Sequence, residues 1–544
     1  MKPANFFAAF GLFGLLCPAA ATQPALDPGL AGWSHRISSQ NETVRRHFDR
    51  GLLLAYGFNH AGAEAEFRAA AKLDPSCAIC FWGAALVAGP NINAPMAPEA
   101  VATAWADLEK ARELAPQASP AERDYIEALG ARYAQNPPED RSPLDQAYAE
   151  AMRSLAAKHP DDADAQVLFA EALMDLHPWD FWQQPSGEAQ PWTGEILALL
   201  EKALERWPQN PGANHYYIHL VEASKNPGRA MAAADRLRDL APDAGHLVHM
   251  PAHIYQRVGR YADSAAANRR AIEADKATAS PGCHGAAVYQ LAYVPHNYHF
   301  LWAALIQAGN AAEAAQTARE LALKVDAKAM REPGLGALQL YFTVPYFDGV
   351  RFGRWPEVLA YPEPAPDLIF PRAIRHFARG LALLRGGQPE AAEAEYGQLA
   401  ALAADPLLES ITIWEINRAD QLAKIAVQVL GGEIALARGD GERAIRQLER
   451  AVELEDALRY DEPATWPLST RHYLGAAQLA LGKPGAAEMV YLADLERQPE
   501  NGWSLHGLAA SLAKQDRPQA AKEVEARLAK AFGGANVQMT ASRF

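Results

Sequence analysis

The sequence contains little cysteine, no run of basic residues and few of the motifs that identify common enzymes. Its 544 residues carry a net charge of −14, and without basic clusters they make a poor partner for nucleic acid or an anionic membrane surface. The hydrolase elbow GxSxG, the phosphate-cradling glycine loop and the dinucleotide fingerprint are absent from the sequence. The zinc-protease pattern HExxH is also missing, because Tyr216 follows His215 and Met250 follows His249.

The most pronounced apolar run lies at the N-terminus. Lys2 precedes an apolar stretch over residues 6–16, and three consecutive alanines follow, which is typical of a cleaved secretory signal peptide. The stretch is shorter than the ~20 residues of a membrane span. A lipoprotein anchor at Cys17 is the alternative, but the bulky residue before it disfavours this. We predict a signal peptide over 1–21, a linker over 22–35, no transmembrane segment and a periplasmic or secreted protein.

Three cysteines follow this segment: Cys77, Cys80 and Cys283. In an oxidising compartment Cys77 and Cys80 are close enough in sequence to form a disulfide, and this is the pairing we predict. A CxxC pair also serves as a metal site or a redox couple. Attachment of c-type haem is excluded, because Phe81 stands where that motif requires histidine.

A helical repeat extends through most of the chain. Gly51, Ala63, Phe67, Ala70 and Pro75 are separated by 12, 4, 3 and 5 residues, and similar patterns begin at Ile218, Ala252, Gly432 and Gly475. This spacing resembles the tetratricopeptide repeat (TPR), in which small residues lie where two helices cross. The resemblance implies an all-α, right-handed helix-turn-helix solenoid of about twelve repeats over residues 36–532. Glycines are expected at the hairpin turns, namely Gly259, Gly309, Gly353, Gly439 and Gly482.

Three insertions interrupt the repeat, over residues 89–95, 177–194 and 278–295. Long irregular segments in a repeat array often carry function, although they are also explained as decoration. Asn91 and Asn93 of the first insertion are expected to turn the chain rather than to approach a ligand. The polar C-terminal tail, 533–544, is predicted to be disordered.

Histidines concentrate in the segment 212–306. Residues 215–299 contain eight of the sixteen histidines in the chain. His215 and His219 are repeated 34 residues later by His249 and His253, and the spacing of His246 and His249 is repeated by His296 and His299. Numbered within the repeat, these seven histidines occupy positions 2, 5 and 9, which form one helical stripe with position 12. In TPR proteins this stripe lines the concave groove, so the resemblance implies that the side chains share an enclosed surface.

The stripe predicts a metal site. A single histidine is usually a hydrogen-bonded core or groove residue, but seven on one stripe are better explained as ligands, because imidazoles four residues apart on a helix can share an ion. His215, His219, His249 and His253 are the first candidates, and His246, His296 and His299 are enough for a second ion. Weaker candidates for a ligand, or for a residue that orients one, are Glu222, Glu171, His177, Cys283 and His284. His177 is equally well explained as a helix-end cation, and His472 and His506 are interpreted as groove residues.

The ligand type favours copper, with iron or zinc as alternatives, because imidazole suits all three and copper has the highest intrinsic affinity. Aromatic residues on the same helices would support oxygen or one-electron chemistry, in particular Tyr216, Tyr255, Tyr293 and Trp302. They are also explained as ordinary solenoid core, which is the better explanation for Trp302. The leading hypothesis is a metal-dependent oxidoreductase or oxygen-activating enzyme with a small-molecule or peptide substrate in the groove. The alternatives are a protein-binding TPR scaffold without catalysis, and a metal storage or delivery protein.

Overall fold

The computed structural model describes residues 33–184, 186–278 and 289–544. The predicted signal peptide, most of the linker, Cys283 and His284 lie outside these residues. The chain divides into two compact units, Met1–Ile254 with Arg270–Val294, and Tyr255–Arg269 with Pro295–Phe544.

Helices account for almost all of the regular structure. Up to residue 278 they are α1 Glu42–Tyr56, α2 His60–Leu73, α3 Ala78–Leu86, α4 Ala100–Leu114, α5 Pro120–Leu129, α6 Ser142–Lys158, α7 Ala163–Asp175, α8 Thr193–Arg206, α9 Pro211–Glu222, α10 Met231–Leu240, α11 Gly245–His249, α12 Pro251–Arg257 and α13 Tyr261–Thr278. They continue as α14 Val294–Gln307, α15 Ala311–Lys324, α16 Gly336–Arg351, α17 Trp355–Ala360, α18 Ile369–Arg385, α19 Pro389–Ala403, α20 Ala419–Ala437, α21 Gly441–Asp456, α22 Thr470–Ala480, α23 Pro484–Arg497, α24 Gly502–Ala513 and α25 Pro518–Ala531.

The remaining regular elements are short. There are 3-10 turns at Ala115–Gln117, Pro227–Ala230, Ala329–Arg331 and Pro406–Ser410, a π turn at Tyr289–Tyr293, and an antiparallel pair of two-residue strands, β1 Thr412–Ile413 and β2 Asn417–Arg418. Among the described helices, none is long and apolar enough to cross a membrane.

Each unit is built from helical hairpins, which confirms the TPR-like, all-α fold class. Within the first unit α1 packs on α2 and α3 on α4, and within the second α24 packs on α25. The five predicted turn glycines all have φ between 64° and 81°, a region that strongly favours glycine because it has no Cβ. The number of repeats and the handedness of the superhelix stay predictions.

The same aromatic packing recurs in both units. In the first, the ring of Phe67 lies between Gly51 and Gly83, where an added Cβ would come within 2.7 Å and 2.5 Å of the ring. In the second, the ring of Tyr491 lies between Gly475 and Gly507 at 2.4 Å and 2.1 Å by the same measure. The aromatic residue of one hairpin therefore packs against the first helices of two successive hairpins, which is why the repeat requires small residues at those positions.

The prediction that the C-terminal tail is disordered was wrong. The Ser542 hydroxyl donates a hydrogen bond of 2.7 Å to the carbonyl oxygen of His472, and Ser542 is 1% exposed. Arg543 forms an ion pair of 3.0 Å with Glu433. The polar composition of the tail suggested disorder, but its last residues find specific partners within the second unit.

Replacing Gly507 by alanine tests the packing of Tyr491. The new Cβ would lie 2.1 Å from the ring, so the ring and its helix must shift, and we expect a loss of about 1–3 kcal/mol in the free energy of unfolding of the second unit. Gly397→Ala is the matched control, because Gly397 lies inside α19 and has no neighbour within 4 Å of an added Cβ. That control should gain about 0.5–1 kcal/mol from helix propensity. Equal urea midpoints for the two variants would contradict this packing.

Candidate metal centre

The first unit brings five of the seven candidate histidines together. His215 and His219 lie on α9, and His246, His249 and His253 lie on α11 and α12. The break between α11 and α12 follows from Pro251, which has no N–H to continue the helical hydrogen bonds. On each segment the steps of three and four residues place the imidazoles on one face.

The five imidazoles form a closed circle, here called the histidine cluster. Their side chains are buried, with 0–4% of each residue exposed. Around the circle the ring centroids are separated by 4.7 Å for His215 and His219, 5.6 Å for His219 and His253, 4.8 Å for His253 and His249, 5.8 Å for His249 and His246, and 5.0 Å for His246 and His215.

Three of these residues have the arrangement of a metal-binding set. One ligand atom from each of His215, His219 and His246 lies within 4.8 Å of the others. The Nε2 atoms of His215 and His219 and both ring nitrogens of His246 are buried and have no hydrogen-bond partner among the described residues. Leaving buried nitrogens unsatisfied is costly, and a metal ion would satisfy one nitrogen of each residue.

Hydrogen bonds at Nδ1 determine which nitrogen faces the centre. His215 Nδ1 lies 2.5 Å from the carbonyl oxygen of Tyr56, which can only accept, so Nδ1 carries the proton and Nε2 the lone pair. His219 Nδ1 lies 2.7 Å from Glu222 Oε1, and an ionised carboxylate imposes the same tautomer. Both imidazoles are therefore set to present Nε2 as a ligand atom.

Glu222 holds two histidines at once. Its Oε1 contacts His219, and its Oε2 lies 2.6 Å from Nδ1 of His253. Burial acts to raise the pKa of Glu222, but the adjacent His253 and His219 outweigh it and hold the pKa well below its usual range. A carboxylate that accepts from imidazole N–H groups is the usual partner behind histidine ligands, so Glu222 fits the orienting role rather than that of a ligand.

The uncharged form of the three histidines is favoured by their surroundings. Burial, followed by the neighbouring His219, holds the pKa of His215 well below its usual range. Burial also lowers the pKa of His219, although Glu222 opposes it. For His246, burial and then the other imidazoles of the cluster lower the pKa strongly. Neutral imidazole is the form that binds metal.

Two aromatic side chains next to the cluster have strained backbones. Phe58 packs 4.7 Å from His215 between ring centroids, and Trp179 meets His219 edge-on at 5.2 Å. Their φ angles are 54° and 58°, a region where bulky residues are rare and which often marks functional sites. Phe58 was missed in the sequence; the only signal was the turn-forming Gly57 before it.

Residues from the three insertions form a wall on one side of the histidine cluster. Trp179 Nε1–H donates to Asn93 Oδ1 at 3.1 Å, and Asn93 Nδ2–H donates to the Tyr293 hydroxyl at 3.0 Å. The ring of Tyr293 lies 4.8 Å from that of His246. Asn91 turns the chain as expected, since its side-chain oxygen accepts from the backbone N–H groups of Asn93 and Ala94. Asn93 was expected to do the same and instead links the aromatic residues of the wall.

The remaining candidates lie outside α9, α11 and α12. His296 and His299 are on α14 in the second unit, where His299 packs on Tyr341 at 5.0 Å. His177 stacks on Trp192 at 3.7 Å, and Glu171 lines a polar cavity that also contains Arg132. Burial raises the pKa of Glu171 to about 7.

The CxxC cysteines lie in the first unit. The sulfur atoms of Cys77 and Cys80 are bonded, with their Cα atoms 5.4 Å apart.

The chain is similar to known proteins in its fold alone. No protein-family model and no curated protein matches the chain. Among solved structures it is similar to the human IFIT1 dimer with PPP-AAAA, at 13% identity and a TM-score of 0.34 over 89% of this chain and 95% of that chain. The P58(IPK) TPR domain is 14% identical with a TM-score of 0.23, over 88% and 99%. Yeast Tom70 is 12% identical with a TM-score of 0.27, over 89% and 93%.

The role of Glu222 is tested by Glu222→Gln. Glutamine can accept from one imidazole but must donate to the other, so either His219 or His253 changes tautomer and loses its Nε2 lone pair. We expect metal affinity to fall by about 10–100-fold with little change in helical content. Glu171→Gln, which removes a half-buried carboxylate outside the cluster, is the control and should bind metal as the wild type does. Competition titration with a chromophoric chelator measures both, and equal affinities for the two variants would contradict the role.

Metal binding should persist in mild acid. Three histidines with ordinary pKa values near 6.5 would lose about 50-fold in affinity between pH 7.5 and 6.0, because protons compete for each Nε2. The pKa values of His215, His219 and His246 are lowered, so protons compete only at lower pH. We expect a change of less than about threefold over this range. A loss near 50-fold in the same titration would show that the three imidazoles titrate as exposed groups do.

Proposed function

We propose that the protein is an exported TPR-like metalloprotein that binds a transition metal through His215, His219 and His246. The observation that carries this proposal is the convergence of one ring nitrogen from each of three buried histidines, together with the buried Nε2 atoms of His215 and His219 and both ring nitrogens of His246, which have no hydrogen-bond partner among the described residues. The tautomers of His215 and His219 are set by groups behind them, as in natural metal sites. An all-imidazole set of this kind suits copper, zinc, iron and nickel.

Copper is the metal that we favour. Among the divalent metals, copper has the highest affinity for nitrogen ligands. If the protein is exported as predicted, metal availability in the cytosol does not decide which ion it binds. A structural zinc would need four protein ligands in a closed site. Three histidines leave a coordination position for an exchangeable ligand, which is the arrangement of catalytic metals.

Oxidoreductase chemistry on a small molecule follows from the same environment. The cluster is 0–4% exposed, so a substrate that reaches the metal directly must be small, such as dioxygen. The rings of Tyr293 and Trp179 lie against ligand histidines, and aromatic side chains at that distance can exchange single electrons with a bound metal. We therefore propose an oxygen-activating, metal-dependent oxidoreductase.

Storage or delivery of metal is the second candidate, because it would use the same ligands without turnover. The burial of the cluster disfavours it, since a delivery site needs ready access for an exchanging partner.

Elemental analysis tests the metal site. Protein recovered from the exported fraction, without a histidine tag or chelator, should contain at least one equivalent of copper, iron or zinc. His215→Ala/His219→Ala should lower this content by about one equivalent at unchanged helical content. His177→Ala is the control, because His177 stacks on Trp192 outside the cluster, and its metal content should equal that of the wild type.

A double variant with unchanged metal content would reject the assignment. A metal-free wild type that also takes up no added copper would leave an interaction scaffold as the function.

A further inference from the structure

The histidine cluster contains two imidazoles that the three-ligand site does not use. The Nε2 atoms of His249 and His253 lie 2.9 Å apart on the α11–α12 segment. Two nitrogens that each lie about 2.05 Å from one metal ion, at a right angle to each other, are separated by about 2.9 Å. The observed spacing therefore matches two neighbouring ligands of one ion as well as it matches a hydrogen bond.

The tautomer of His253 supports the metal arrangement. Its Nδ1 lies 2.6 Å from Glu222 Oε2, and a carboxylate held between two imidazole nitrogens is the acceptor of both hydrogen bonds. Nδ1 must therefore carry the proton, and Nε2 presents its lone pair toward His249. Glu222 thus orients His253 as it orients His219 of the first site.

Resting on the proposed function, we infer that His249 and His253 bind a second metal ion beside the first, so that the cluster is a two-metal centre with Glu222 as its shared carboxylate. Two pairs of neighbouring imidazoles connect the two sites. The ring centroids of His219 and His253 are 5.6 Å apart, and those of His246 and His249 are 5.8 Å apart. The remaining coordination positions are left to exchangeable ligands or to further side chains. Paired ions of this kind lie about 3.5–4 Å apart in enzymes and hold one small substrate between them.

The charge of the site limits which metal ions can occupy the two adjoining positions. The cluster supplies neutral imidazoles and one carboxylate, so two divalent ions would carry far more charge than Glu222 offsets. At equal separation, the repulsion between two divalent ions is four times that between two monovalent ions. A right angle between ligand nitrogens is the square-planar geometry of copper(II), so the site suits two divalent ions that share a bridging anion.

Titration with copper(II) against a chromophoric chelator tests the second site. The wild type should take up two equivalents. His249→Ala/His253→Ala should take up one, and His215→Ala/His219→Ala should also take up one. His472→Ala is the control, because His472 is a buried histidine of the second unit, and it should keep two equivalents. Circular dichroism checks that each variant folds, and His249→Gln, which keeps a polar side chain, replaces the double variant if that one does not.

The outcomes separate the two proposals. A wild type that binds one equivalent, lost in His215→Ala/His219→Ala, would overturn the second site and leave the first intact. Two equivalents that survive in His249→Ala/His253→Ala would place the second ion elsewhere and also overturn it. A wild type that binds no copper would reject the proposed function itself.

Discussion

The arrangement of the candidate metal centre depends on one buried carboxylate. Glu222 is fully buried and contacts Nδ1 of His219 with one oxygen and Nδ1 of His253 with the other. A buried charge is tolerated only when it is paired and hydrogen-bonded, so the two imidazoles must keep their N–H groups directed at Glu222. Their Nε2 atoms are then directed away from it. One interaction thus sets the tautomer and the orientation of residues on two separate helical segments.

The repeat architecture explains how these segments come to face each other. Helical hairpins that stack place equivalent positions side by side, so a histidine pair on α9 and its copy 34 residues later are brought close by the fold itself. Burial then lowers the pKa of His215, His219 and His246 and favours their neutral form. A solenoid face of this kind needs only a few substitutions along one stripe to become a metal-binding surface, whereas a new site in a compact globular core would require repacking.

The sequence was sufficient for the fold class and for the position of the cluster, because both depend on periodicity. Residues such as His215 and His249 recur at the repeat interval, and glycines such as Gly475 recur where helices cross. The wall of the site was less predictable. Asn93 and Trp179 lie in insertions that follow no period, and only their long-range hydrogen bond reveals that they belong together. Packing of the tail through Ser542 escaped prediction for the same reason, since its partners lie far away in sequence.

A crystal of protein recovered from the exported fraction would test the central claim most directly, through anomalous scattering measured at the copper, iron and zinc edges. We expect an anomalous peak within about 2.0–2.1 Å of Nε2 in His215 and His219 and of one ring nitrogen of His246, at the edge of a transition metal. Ordered water bound to those three nitrogens, with no anomalous peak after soaking in copper, would contradict the account.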